Sequence, residues 1–387
     1  MQSLAQSPTD PDFVQNPYPF YDRARAGGDL FFWQDYDLIC ATSHEAVHAL
    51  LRDRRMGREC PPELTMPIPE HLAPFYALEA NSMLEAEPPR HTRLRRLVTR
   101  SFTSARIVAL APQIRTLVRE LIDAFPDEPF DLIPAFASRI PVTVICRLLG
   151  VPEQMADQFL AWSHDMVGMY QAGRTRAMED AAAQAADEFA SFIRAHIESR
   201  RSDPKCDLLS HLIAAEEEGD QLTTDELVST CILLLNAGHE ATVHSIGNAV
   251  KTLLEHDTRK ITPDTVEECL RFDPPLHMFI RYAYEDFSAF GHDFKRGDRV
   301  GLLLAAAGRD PSTWSEPNRF DATREAVPHH AFGGGIHFCV GAPLARLEIT
   351  LALEILFARC PGLQLAEPPS YADSYHFHGL ARLMVNR

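Results

Sequence analysis

Apolar residues recur at helical spacing along much of this chain, and the longest uninterrupted stretch runs from about Thr224 to His256. About 33 residues would extend about 50 Å at 1.5 Å per residue, enough to cross the whole molecule. Thr223 followed by Glu226 predicts a capping box at its start. Thr262 and Pro263 predict the N-cap and first turn of a second helix. Helical patterning also covers Pro89 to Glu217, broken near Pro126 to Pro134 and near Asp203, and it returns at about Ala342 to Arg359. Asp29 to Thr42 mixes aromatic and β-branched residues and predicts a strand pair. The Pro-rich stretch from Cys60 to Pro74 reads as an ordered loop with short helical pieces, and the chain after Pro274 as short strands and loops. The expectation is a mainly α fold with a minor β-sheet region. Its helix-rich core spans about 89–270 and 340–360, and its strand-rich parts about 29–42, 276–305 and 371–387. No linker, tandem repeat or low-complexity tract marks a boundary, so residues 1–387 are expected to form a single domain.

Composition adds little to that picture, at 45% hydrophobic and 24% charged. The net charge of −17 excludes the basic footprint of a general nucleic-acid binder. The opening MQSLAQSPTDPDFVQNPYPF has neither the basic nor the apolar region of a signal peptide. The longest apolar runs, Cys231 to Leu235 and Gly301 to Ala307, fall far short of the ~20 residues that span a bilayer. A cytoplasmic protein without a membrane anchor is expected. The 8 cysteines include no C-x-x-C pair and fit reduced thiols better than a disulfide framework.

One cysteine differs from the rest. The segment Phe332-Gly-Gly-Gly-Ile-His-Phe-Cys339-Val-Gly341 is rich in glycine, which lets the backbone approach a flat ligand closely. Cys339 stands just before a predicted helix, where unpaired N–H groups and the positive dipole end should lower a thiol's pKa. A thiolate there is a nucleophile or a metal ligand. The bland reading, a glycine-rich loop with a buried cysteine, would win for a lone Gly-Gly-Gly-x-x-x-Cys. Here every spaced position fits F-G-x-G-x-H-x-C-x-G. At this motif the chain resembles the cytochrome P-450 family. The resemblance implies that Cys339 is the axial ligand of haem b, that His337 binds a haem propionate, and that Phe332 packs near the sulfur side of the porphyrin.

Three other segments agree with it. Glu268 and Arg271 form a Glu-x-x-Arg pair, which alone would be an exposed ion pair worth ~0–1 kcal/mol. With Arg319 in Pro317-Asn-Arg319-Phe320, the resemblance implies a buried structural triad of Glu268, Arg271 and Arg319. His91 and Arg95 lie on one helical face, and the resemblance puts both on haem propionates, together with Arg281. Arg93, Arg96 and Arg100 follow helical spacing on roughly the opposite face; they are either a solvated surface or a docking patch for an acidic ferredoxin.

The long helix carries Ala237-Gly238-His-Glu240-Ala241-Thr242. A mid-helix glycine costs ~1 kcal/mol relative to alanine, so Gly238 marks either a close packing contact or room for a small ligand. In the resembling family this segment crosses the oxygen-binding face of the haem, and Glu240 belongs to an acid–alcohol pair that delivers protons. The usual alcohol position holds Ala241, with Thr242 next. One residue along a helix is a 100° rotation, so Thr242 does not simply replace it.

The resemblance covers nearly the whole chain and implies the triangular, mostly α cytochrome P-450 fold. It implies a monooxygenase that inserts one oxygen atom of O2 into a small to medium hydrophobic substrate. No flavin or iron–sulfur domain fits in the chain, so two electrons must come from NAD(P)H through a separate 2Fe-2S or similar ferredoxin and its reductase. A monomer is expected. The rival readings are a peroxide-driven haem-thiolate peroxygenase and a non-catalytic haem sensor. By position, the substrate pocket should include Met83, Leu84, Leu233, Leu234, Ala237, Ala241, Leu276, His277, Met278, Phe279, Phe377 and His378. Each of these is also compatible with ordinary core packing. The mainly apolar set, with two imidazoles, points to a modest hydrophobic substrate carrying some polar function.

Overall fold

The structure, a computed structural model, describes residues 1–171, 173–217, 222–325, 327–375 and 377–387. Its longest helix, Thr224–Glu255, starts where the capping box places it. Thr223 Oγ1 accepts from the Glu226 N–H at 3.2 Å, and the Glu226 carboxylate accepts from the Thr223 N–H at 2.9 Å. Asp225 and Glu226 in the first turn complement the positive end of the helix dipole. Buried residues lie all round this helix, as expected of one that runs inside the molecule. It packs against Arg139–Leu149, Arg176–Ser202, Pro263–Phe272 and Ala342–Arg359.

Pro263–Phe272 has Thr262 as its N-cap, and Ala342–Arg359 forms over the range its pattern predicts. The stretch 89–217 breaks more often than the pattern shows. Arg139–Leu149, for example, stops at Gly150, whose φ of +78° lies in the left-handed region. A Cβ at Gly150 would stand 2.0 Å from the Asp207 carboxylate, so only glycine fits. Helices Pro11–Gln15, Tyr18–Ala26 and His44–Leu50 flank the expected strand pair, in stretches for which the pattern predicts no helix.

That strand pair forms as Leu30–Trp33 against Leu38–Ala41, antiparallel. It joins a six-stranded sheet in the spatial order Gln2–Leu4, Leu30–Trp33, Leu38–Ala41, Arg299–Leu303, Met278–Ala283 and Met56–Gly57. Arg299–Leu303 runs parallel to Leu38–Ala41 and antiparallel to Met278–Ala283. An aromatic layer of Phe13, Phe20, Tyr21, Trp33 and Tyr375 packs against the sheet, apart from the larger helical core. Among the described residues no helix is long and apolar enough to cross a membrane.

The Glu-x-x-Arg pair is buried. Arg271 Nε and Nη2 donate to the two Glu268 oxygens at 2.6 and 2.7 Å, and Nη1 donates to the carbonyls of Gly308 and Pro317. The third member is not the expected one. The Arg319 side chain is 60% exposed and pairs with Glu316, and only its carbonyl receives Arg271, at 3.4 Å. Arg324 takes the place instead, with Nε 3.2 Å from Glu268 and 14% exposure. The loop after Glu316 turns Arg319 outward and folds back so that Arg324 and the Asp321 N–H both reach the carboxylate.

Candidate functional site

A cavity of about 580 Å³ opens between the long helix, the helix Arg90–Ser101, the strand Met278–Ala283 and the Cys339 loop. That size lies in the ordinary range for ligand pockets, ~300–1,000 Å³.

Cys339 forms part of its wall. The loop is held by the Cys339 N–H on the Phe332 carbonyl at 3.0 Å, and by the Gly333 N–H on the His330 carbonyl at 2.8 Å. Gly335, at φ +66°, lies so close to Leu51 that a Cβ would stand 2.3 Å from its carbonyl oxygen. The glycine requirement is thus partly a matter of docking the loop onto the end of the helix His44–Leu50. The expectation of a lowered thiol pKa needs correction. Burial pushes the Cys339 thiol above its ordinary value, and the N–H groups of Gly341 and Ala342, with Arg95 and Arg346, only partly offset it. Both N–H groups belong to the start of the helix Ala342–Arg359, so the helix end acts on the sulfur in the expected direction, and desolvation is the larger effect. Arg346 lies over the Phe332 ring at 4.5 Å, which fixes that ring beside the loop.

Cations gather on the same wall. His91, Arg95 and His337 all line the cavity, with the two imidazole rings 4.4 Å apart. Burial, His337 and Arg95 push His91 down to about 4. Burial likewise lowers His337, although its Nε2 meets Glu87 at 2.9 Å. Arg95 Nη2 donates to the Phe338 carbonyl at 2.5 Å. Arg281 does not reach the wall. It is buried behind it, donating to the Ile280 carbonyl at 2.9 Å, and burial with Arg58 lowers it to about 10. These basic groups crowd one another, and burial with mutual repulsion disfavours their charged forms; carboxylates seated among them would favour protonation again. A soft sulfur donor, a cavity of ligand size and a cluster of basic side chains on one wall together fit a haem with its two propionates.

On the long helix, Ala237, Gly238, Glu240, Ala241 and Thr242 all line the cavity. At Gly238 an added Cβ would stand 3.1 Å from the Ile145 side chain, a tight packing contact, and the residue also lines the cavity, so both explanations fit. Burial works to raise Glu240, but the imidazoles of His239 and His244, each 3.6 Å away, override it and hold the carboxyl well below the usual range. Thr242 keeps a place on the wall despite the rotation, as does Ser245, whose hydroxyl donates to the Ala241 carbonyl at 2.7 Å.

Of the expected substrate-pocket residues, Met83, Leu84, Leu233, Leu234, Leu276, Met278, Phe279 and Phe377 line the cavity. His277 and His378 do not, and this corrects the reading. Both are buried in the aromatic layer, with His277 Nδ1 on Tyr21 Oη at 2.9 Å and His378 stacked 3.7 Å from the Tyr371 ring. His277 precedes the strand and turns toward the aromatic Tyr21 instead of the cavity. Two groups on the wall escaped the sequence reading. Glu348 is 1% exposed, neither of its oxygens has a partner, and burial raises it well above the usual carboxyl range. Its only signal is an acid set among the apolar residues of the helix Ala342–Arg359, which carries Glu354 as well. Arg58, Glu79 and Glu85 also line the cavity, from segments whose own patterning says nothing of a site. Arg93 is drawn out of the surface stripe by an ion pair with Glu226, whereas Arg96 and Arg100 stay exposed.

A sequence profile described as "Cytochrome P450" matches residues 66–260 and 256–361. The Vitamin D(3) 25-hydroxylase of Pseudonocardia autotrophica is 39% identical over 389 residues, covering 96% of this chain and 94% of that protein. The biotin biosynthesis cytochrome P450 of Bacillus subtilis (strain 168) is 35% identical and covers 99% of each chain. Among solved structures, P450BioI in complex with an acyl carrier protein ligated to hexadec-9Z-enoic acid superimposes with a TM-score of 0.90 at 34% identity, over 97% of this chain and 99% of that one. By its fold, by the cysteine and cations around its cavity, and by these likenesses along its length, the chain belongs to the cytochrome P450 family of haem monooxygenases.

Proposed function

We propose that the cavity would hold haem b through the Cys339 sulfur, with His91, Arg95 and His337 receiving its propionates. Arg281 supports this cluster from behind the wall. One observation carries the reading: the Cys339 sulfur and the basic side chains of His91, Arg95 and His337 line the same cavity. When bound, a thiolate-ligated haem supplies activation of dioxygen for insertion of one oxygen atom into a C–H bond. The chain's own residues do the rest. Phe332 and the Gly333–Gly335 turn fix the sulfur's position, and the apolar residues Leu233, Leu234, Phe279 and Phe377 keep water from the substrate. Glu240, kept as a carboxylate beside His239 and His244 at 3.6 Å, is a proton acceptor at the cavity wall.

Electrons are proposed to come from NAD(P)H through a separate ferredoxin and its reductase, docking where Arg96 and Arg100 are exposed. The reading includes a monomeric, cytoplasmic protein with one domain over residues 1–387. Ala241 favours a second reading, a peroxide-driven enzyme that needs less proton delivery; the retained Glu240 on the wall favours the first. Reduced protein under carbon monoxide should absorb near ~450 nm, as thiolate-ligated haem does. Cys339→Ser should lose that band, while Cys60→Ser and Cys206→Ser should keep it. A band that survives Cys339→Ser overturns the ligand assignment. Turnover with NADH plus a surrogate ferredoxin pair, against hydrogen peroxide alone, separates the two readings.

A further inference from the structure

A further basic side chain, Arg58, lines the cavity together with His91, Arg95 and His337. It follows the strand Met56–Gly57, which pairs antiparallel with Met278–Ala283 through Met56 against Ala283 and Gly57 against Tyr282. That register leads Arg58 toward Arg281, and the two guanidiniums lie 5.7 and 5.8 Å from the centroid of the same Phe279 ring. Arg281 is buried behind the wall, and Arg58 is the one that reaches the cavity. Glu87 ties Arg58 to the other basic groups. Its Oε1 accepts from the Arg58 N–H at 2.7 Å and stands 2.9 Å from His337 Nε2.

A second observation concerns the guanidinium itself. Arg58 Nη2 donates to Glu85 Oε1 at 2.5 Å, yet its Nε is buried with no acceptor. A buried donor left unpaired is costly, more so on a charged group, and it points to an acceptor that arrives with a ligand. Burial works against the charge on Arg58 and Glu85 more than restores it, so the cation is present before any ligand binds. A planar guanidinium with an open N–H edge matches the geometry of a carboxylate. His91, His337 and Arg281 all feel the Arg58 charge, which sets that carboxylate beside the groups that receive propionates.

We infer that Arg58 is a propionate-binding residue of this chain, standing on the cavity wall in the part expected of Arg281. Glu85 engages the guanidinium through Nη2, and the unpaired Nε is the donor left for the propionate. The inference rests on the cavity being a haem site. A substrate carboxylate offers the same chemistry, and the experiment separates the two.

Haem transfer to excess apomyoglobin, followed on substrate-free holoprotein, reads how firmly the haem is held. Arg58→Gln should lose haem at least about tenfold faster than the unsubstituted protein, a ratio equal to ~1.4 kcal/mol. Reconstitution with haem dimethyl ester, which has no propionate carboxylates, should abolish that difference. Glu85→Gln should not speed haem loss, whereas a purely structural ion pair would make the two variants alike. Arg58→Lys keeps the charge but not the Nε donor. It should fall between the two with the same dependence on the ester, and it serves if the glutamine variant does not fold. An acceleration equal for haem and its dimethyl ester, or equal in Arg58→Gln and Glu85→Gln, overturns the inference. So does unchanged haem loss in Arg58→Gln with weakened binding of dodecanoate, which would give Arg58 to a substrate carboxylate. The ratio is read whichever atom ligates the iron. Loss of the ~450 nm band therefore counts against the Cys339 assignment alone, and an intact band without an ester effect counts against Arg58 alone.

Discussion

Arg271 holds both oxygens of Glu268, at 2.6 and 2.7 Å, and neither side chain is more than 2% exposed. Glu268 also accepts from Arg324 and from the Asp321 N–H. One carboxylate therefore ties the helix Pro263–Phe272 to the loop that leads toward Cys339.

Removing that carboxylate leaves two guanidiniums without their partner. Glu268→Ala should destabilise the protein by ~3–5 kcal/mol, the usual consequence of breaking a buried pair, and should yield little soluble holoprotein. Arg324→Ala should also lower the melting temperature. Arg319→Ala should change stability by no more than ~0.5 kcal/mol, as an exposed substitution does. If Arg319→Ala costs as much as Arg324→Ala, the third partner has been misassigned.

The sequence carried the parts of this architecture that local rules control. The Thr223–Glu226 capping box, the Thr262–Pro263 start and the spacing around Cys339 depend on neighbours within a few residues, and they stand where the spacing put them. What the sequence hid depends on tertiary packing. Arg319 and Arg324 differ only in which way one loop turns. His277 faces the aromatic layer because Tyr21, far away in the chain, offers its hydroxyl there. Glu348 could not be told from a surface acid until its helix was seen to bury it.

The cation cluster gives a pH test. His91 is pushed from an ordinary value of ~6.5 to about 4 by burial and its cationic neighbours. A histidine with a lowered folded pKa destabilises the fold as pH falls below its unfolded value, and the loss levels off below the folded value. Haem-free protein should thus lose stability between pH ~6.5 and about 4. Seated propionates would supply the missing counter-ions, so holoprotein should lose less over the same window. His91→Gln should narrow that difference between the two forms. Equal pH slopes of melting temperature with and without haem would show that no carboxylate sits at His91.

Electron delivery should respond to Arg96 and Arg100 but not cleanly to Arg93. Reversing the charge at Arg96 and Arg100 should raise the apparent KM for an acidic ferredoxin and flatten its dependence on salt. Haem content should stay the same. Arg93 pairs with Glu226, which also caps the long helix, so Arg93→Glu should lower the melting temperature as well. A ferredoxin titration unaltered by the double reversal would make that face ordinary solvated surface.

Ala241 is the position where this chain departs from its family's pattern, and the structure narrows what the departure means. The wall is not short of hydroxyls, since Thr242 and Ser245 both line the cavity. Ser245 is already committed to the Ala241 carbonyl at 2.7 Å. Glu240 stands one position before, ionised and flanked by two imidazoles. Space at 241 beside an ionised acid suits a bound water or a polar group of the substrate more than a vacant site. Ala241→Thr should therefore displace that occupant and lower coupling, the fraction of reducing equivalents that end in product instead of peroxide or water. Glu240→Gln keeps the shape but removes the ionisable group, so it should slow turnover by more than it changes substrate affinity. A rise in coupling in Ala241→Thr would mean that the position is simply vacant and the added hydroxyl useful. If rate and coupling are unchanged in both variants with a true substrate, proton delivery does not pass through this segment.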